Sequence, residues 1–292
     1  MLIPVALALG VRAAVPVPDT TQEPPSEIVV QGTRVGKQQI RDFVKTVIDV
    51  PSTGQIARFQ AKACPVVMGL PPAQSAAIAE RMRRVAAAAK VGVAPAGCTP
   101  NVFVIMAADK KAAITELERR FPAYFSGMSD REVRKLEADP GPAAAWQVRT
   151  RYSADGEFLE KPIGGFYVVR GTHNPSRLRS SSVPTFLASV VVIDLKAAGG
   201  LTVTQLADYA AMRTFAAADP QRILKTGTPT ILGVLGQPDG ALLPITLTYW
   251  DLGLLKALYS TDNAYYAGYQ RGDIEHVMRE ELEHAGTRDR QH

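Results

Sequence analysis

LTVTQLADYAAMRTF (residues 201–215) and LTYWDLGLLKALY (residues 247–259) are the stretches on which the reading of this chain turns. In the first, Thr202 supplies a side-chain oxygen just ahead of Val203, Leu206, Ala207, Ala210 and Ala211, which recur at i, i+3, i+4, i+7 and i+8. A capped helix follows from that spacing, with Asp219-Pro220 as its stop. In the second, Thr248 stands three residues before Asp251, a start resembling a capping box, and Leu254, Leu255 and Leu258 form the face to be buried. A Gly/Pro-rich connection joins the two. Immediately upstream, FLASVVVIDL (residues 186–195) is apolar and β-branched, the composition of a well-buried strand, and Gly199 and Gly200 release the chain into the first helix.

Working outward, the same rules give an alternation of helices and strands. Ile40, Phe43, Val44, Val47 and Ile48 make the stripe of one amphipathic helix ended by Pro51. A strand is expected over residues 56–68. Leu70-Pro71-Pro72 then opens an Ala-rich helix to about Lys90. Its buried face is Ile78, Met82, Val85 and Ala89, with Arg81, Arg83 and Arg84 read as a solvated face. NVFVIMA (residues 101–107) is a strand, Asp109 caps a helix over 110–121, and Ser129 with Asp130 and Glu132 starts another that Pro140-Gly141-Pro142 stops. Residues 145–152 read as a strand, Ala154-Asp155-Gly156 as a turn and residues 165–170 as the return strand. The fold class implied is α+β, with residues 37–292 as one domain.

The chain has 292 residues, of which 46% are hydrophobic and 21% charged, the profile of a soluble globular protein. The formal charge of +5 is spread without a block of like charges, so nothing in it speaks for nucleic acid. MLIPVALALGV (residues 1–11) is too short to span a bilayer, and Val11-Arg12-Ala13 resembles a signal-peptidase site, which makes residues 1–14 a signal peptide. No basic residue precedes that run, so a plain hydrophobic tail is the other reading. Residues 15–36 are a Pro-rich arm running into an apolar strip, Glu27 to Arg34. The strip is a first strand or one offered to a partner by β-augmentation. An even cysteine count in an exported chain points to a Cys64–Cys98 disulfide, against the alternative of two buried thiols. The location expected is periplasmic or secreted, with no integral membrane segment after cleavage.

Leu235-Gly236-Gln237-Pro238-Asp239 followed by Leu247-Thr248-x-x-Asp251-x-x-Leu254-Leu255-x-x-Leu258-Tyr259 resembles a family of uncharacterised secreted bacterial proteins with a zincin-like metallopeptidase fold. The resemblance covers about residues 185–292 and implies a zincin-like mixed sheet with packed helices. Zincin chemistry needs His at i and i+4 of one helix with Glu between them, so that both imidazoles reach one zinc and the carboxylate polarises its water. The corresponding helix here reads QLADYAAMR (residues 205–213) and contains no His. Asp208, Tyr209 and Arg213 are then a polar remnant of a site or an ordinary solvated face.

Two further groups carry candidate chemistry. Arg170, His173, Arg177 and Arg179 share a hydroxyl-rich loop that could hold an anion, although no Gly-rich phosphate fingerprint is attached to it. His276, Glu280 and His284 lie at i, i+4 and i+8 of a charged C-terminal helix, a weak metal set because two turns separate the outer ligands. No G-x-S-x-G elbow accompanies Ser180-Ser181-Ser182. The expectation is an exported envelope protein that binds an unknown protein or small molecule, without catalysis, metal or cofactor. A secreted hydrolase, either a divergent peptidase or one using Ser and His173, is the alternative.

Overall fold

A computed structural model describes residues 36–48, 50–160, 167–172, 175–237 and 241–288. The signal-peptide run, the Pro-rich arm with its apolar strip, His173, and the Pro238-Asp239 part of the family resemblance all lie outside the described residues.

The described chain is α+β. It runs α1 (Lys37–Val47), β1 (Pro65–Met68), α2 (Pro72–Ala88), β2 (Val102–Ala107), α3 (Lys110–Arg120), α4 (Asp130–Ala138), β3 (Ala143–Ser153), β4 (Phe158–Leu159), β5 (Ser182–Asp194), α5 (Val203–Phe215), α6 (Pro220–Leu224), α7 (Tyr249–Ser260) and α8 (Ala267–Arg288). The five strands form one mixed sheet in the order β1-β2-β5-β3-β4. β1, β2 and β5 are parallel, whereas β3 runs antiparallel to both β5 and β4. β5, the most apolar strand, therefore lies at the centre, as expected for a strand covered on both faces. None of the described helices is long and apolar enough to cross a membrane.

Strand alternation divides the core. On one face Val190 and Val192 of β5 pack with Ala144 and Trp146 of β3 under Ile114 of α3 and Val133 of α4. On the other, Val191 and Ile193 pack with Val102 and Val104 of β2 under α2, α5 and α7. Local chemistry starts the helices as expected. The Thr202 hydroxyl accepts from the Gln205 amide at 3.1 Å while Gln205 Oε1 accepts from the Thr202 amide at 3.0 Å. Ser129 with Glu132 and Thr248 with Asp251 close the same reciprocal box, and Asp109 accepts from the Ala112 amide at 2.9 Å. Just after β1, Gly69 sits at φ +87°, and a Cβ there would lie 2.0 Å from the Met106 carbonyl oxygen, so no side chain fits.

Several expectations are corrected. The strand expected over 56–68 is ordered as a ladder only over Pro65–Met68. Upstream of it the chain crosses the sheet and makes isolated bridges, Arg58 to Thr185 and Ala63 to Val93. β3 pairs with Phe158–Leu159, not with residues 167–170, because the turn at Gly156 returns the chain at once. α5 ends at Phe215, and Asp219 begins a new element by capping α6 through the Gln221 amide at 2.9 Å. The charged C-terminal helix that carries His276, Glu280 and His284 starts at Ala267.

Arg81 is not solvated. It is 3% exposed and forks onto Asp208, itself 0% exposed, through Nε to Oδ1 at 2.8 Å and Nη2 to Oδ2 at 2.9 Å. Asp208 Oδ2 also accepts from the Thr246 hydroxyl at 2.7 Å and the Leu247 amide at 2.9 Å. One carboxylate thus ties α2, α5 and the lead-in to α7 together, with its acceptor sites filled. Tyr209 and Arg213 are buried as well, which removes the solvated-face reading for the set. The cause is that α5 is enclosed on every side, so even its polar positions face protein.

Candidate functional site

The C-terminal end of α5 opens onto a cleft of about 230 Å³. Its floor is apolar: Ile56, Phe186 of β5, and Leu254 and Leu258 of α7. Phe186 meets Phe59 edge-on at 5.5 Å, and Phe59 meets Phe215 at 6.4 Å, so the floor rests on an aromatic cluster. One wall is the end of α1 and the segment after it, Val47, Ile48 and Val50. Arg271 of α8 holds that wall by donating to the carbonyls of Ile48 and Val50.

A β-bulge puts the key side chains here. Consecutive residues Val148 and Arg149 of β3 face Ala188 and Phe186 of β5, leaving Leu187 as the extra residue. Leu187 is exposed, and the parity of β5 changes across it: Phe186 shares a face with Val191 and Ile193 instead of with Val190 and Val192. Arg149 is thereby set opposite Phe186 on the α5 side, with its guanidinium carbon 5.9 Å from the ring centroid.

The facing wall is the turn after α5. Ala216 and Ala218 both donate their amides to the Met212 carbonyl, and between them Ala217 takes φ +51°. This is the left-handed closure that glycine usually supplies, here carrying a methyl that lines the cleft. A non-glycine residue in this conformation stores on the order of 1 kcal/mol, held by the surrounding packing.

The electrostatics are one-sided. Arg149 has no carboxylate within ion-pair distance among the described residues, and burial lowers its pKa from the ordinary arginine value. Two further cations lie near the cleft but outside its lining, and one of them, Arg58, feels the Asp262 carboxylate, which raises its pKa against the effect of burial. Arg58 donates to the Leu258 carbonyl and stacks 5.7 Å from the Tyr259 ring, and Arg151 donates to Gln55 Oε1 and to Ser182. Burial lowers the pKa of both. The lining contributes one acid, Asp219, whose carboxylate caps α6 and pairs with Arg222 at 3.4 Å. The described lining holds no Ser, Thr, Cys or His. Such an arrangement can bind and orient a molecule.

The residues singled out from the sequence fall elsewhere. Cys64 and Cys98 are joined in a disulfide. Tyr209 and Arg213 interact with each other, the Arg213 Nη1 donating to the Tyr209 hydroxyl at 2.8 Å, and burial pushes the Tyr209 pKa up. Neither they nor Asp208 line the cleft. In the Arg-rich loop, Arg170 and Arg177 are exposed, whereas Arg179 is engaged by Asp262 at 2.8 Å and by the Tyr265 ring at 4.9 Å. His276 pairs with Glu280 at 3.4 Å on an exposed face, and His284 is exposed one turn further on. Among the described residues no group of three or more His, Cys, Asp or Glu is arranged to hold a metal. The cleft residues escaped sequence reasoning because their lining is assembled from segments over 200 residues apart. The β-branched run of β5 marks a strand but not the position of its bulge.

The chain matches no protein-family model, no curated protein and no solved structure.

Proposed function

We propose that this chain is an exported, non-enzymatic binding protein of the cell envelope that holds a small ligand in the cleft at the end of α5. The observation carrying the reading is the cleft itself: an apolar floor beside Arg149, which has no carboxylate within ion-pair distance among the described residues. Pockets for small molecules combine an apolar lining with a few placed polar groups in this way. Export is supported by the Cys64–Cys98 disulfide, which persists in oxidising compartments. The zincin-like reading of the fold belongs to the same proposal. Its support is that a fully enclosed helix, α5, follows the central strand and packs on the sheet where a metallopeptidase would carry its ligands, with Asp208 turned to a structural ion pair.

The test is amide NMR of the purified protein titrated with a mixed library of neutral, anionic and cationic fragments. Shifts gathered at Phe186, Ala217 and Leu254 are expected. Library members that shift no cleft amide, or stoichiometric zinc lost on substituting His276 or His284 together with chelator-sensitive casein cleavage, overturn the reading.

A further inference from the structure

We infer that the ligand of this cleft is a small amphipathic monoanion, its compact apolar body resting on Phe186, Leu254 and Leu258 and its carboxylate received by Arg149. The inference rests on the cleft being a ligand site and adds the ligand's size, polarity and sign.

Size follows from volume. An apolar cavity of about 150 Å³ accommodates benzene, so about 230 Å³ holds on the order of ten non-hydrogen atoms. An aromatic or branched acid of that size fills it. Polarity is mixed, because the apolar Phe186, Leu254 and Leu258 line the same space as Gln55, Arg149, Asp219 and Arg222.

Sign follows from a census of the charges around the space. The lining holds two cations, Arg149 of β3 and Arg222 of α6, while Arg58, with Asp262 near it, and Arg151, one strand repeat beyond Arg149, lie outside it. The donors of Arg151 go to neutral oxygens, which satisfy hydrogen bonding and leave its charge in place. Among the cleft's lining, α1, α7 and the α5–α6 turn contribute one carboxylate, Asp219, which faces Arg222. A divalent cation therefore finds one engaged acid, while an anion finds a surplus of positive charge. Among anions, a carboxylate suits a guanidinium because the planar fork takes both oxygens in parallel hydrogen bonds. Phosphate sites commonly use a run of backbone amides at a helix start; the helix start at this cleft, α6, is five residues long, begins with Pro220, and has its Gln221 amide taken by Asp219.

Isothermal titration of the full chain with phenylacetate and its neutral isostere phenylacetamide, each of about ten non-hydrogen atoms, tests the assignment. The acid is expected to bind roughly tenfold or more tightly than the amide at low salt, with the gap narrowing as salt is added. Arg149→Gln is expected to abolish the gap, and Arg149→Lys to retain part of it, charge without the fork. Arg149 reaches solvent, so both variants should keep the wild-type melting temperature, which is measured alongside. Equal binding of acid and amide overturns the assignment while leaving the cleft a ligand site, as does a gap that survives in Arg149→Gln. Binding of neither probe also overturns it, and the fragment library then decides separately whether the cleft binds anything.

Discussion

Asp208→Asn removes one negative charge from the most enclosed ion pair among the described residues while keeping the side chain's shape. The amide can accept at one oxygen only. If that oxygen serves the Thr246 hydroxyl, the Leu247 amide and Arg81 Nη2, an NH2 group then faces Arg81 Nε–H, a donor against a donor. Arg81, 3% exposed, is left as a buried cation with no counter-charge. Breaking a buried pair from one side costs about 3–5 kcal/mol, most of it the uncompensated charge. Against a total of about 5–15 kcal/mol for a folded chain, that is about a fifth of the margin or more. Guanidinium unfolding followed by the fluorescence of Trp146 and Trp250 should show the midpoint falling with little change in slope. Adding Arg81→Met to Asp208→Asn removes the orphan charge and leaves the amide oxygen to serve Thr246 and Leu247. The double variant should thus recover much of the loss, a coupling of about 2–3 kcal/mol. A loss below about 1 kcal/mol in Asp208→Asn, or coupling near zero, would refute the view that this pair locks α2 to α5.

Three further outcomes follow from other parts of the fold. Cys64 and Cys98 close a loop with a sequence separation of 34, so reducing the bond or replacing both by Ser should lower unfolding free energy by about 3.8 kcal/mol in the chain-entropy model, measured with and without reductant. Gly69→Ala drives a methyl against the Met106 carbonyl at a position of φ +87° and should cost about 2–3 kcal/mol, read as a melting temperature lower by roughly 5–10 °C. Asp251 is 0% exposed, and burial pushes its pKa above the ordinary 3.8. The folded chain then keeps this proton to higher pH than the unfolded chain does. Its contribution is fully present below about pH 4 and is lost as pH rises through the folded pKa. Unfolding free energy measured from about pH 4 to about pH 8 should decline in the wild type relative to Asp251→Asn, and parallel curves would count against it.

What could be read without coordinates was whatever depends on residues close in sequence. The caps at Asp109, Ser129, Thr202 and Thr248, the stripe of α1, and the apolar runs of β2 and β5 all formed as their local chemistry dictates. A cap needs only a side chain three residues from an unsatisfied amide, and a buried strand needs only apolar length. The α+β class and the cysteine pairing followed from the same kind of evidence.

Burial of polar residues was decided by the tertiary structure alone. An Ala-rich helix such as α5 has no polar face for periodicity to reveal, so whether Asp208 meets water or Arg81 depends on a partner 127 residues away. The cleft is a stronger case. Arg149 and Phe186 become neighbours only because one extra residue, Leu187, flips the parity of β5, and the opposite wall exists only because Ala217 turns left-handed at the end of α5. Sequence determined which segments would be helix or strand, because those choices are settled within a few residues. Packing determined which side chains share a cavity, because that choice is settled by strand register and by contacts across the whole length of the chain.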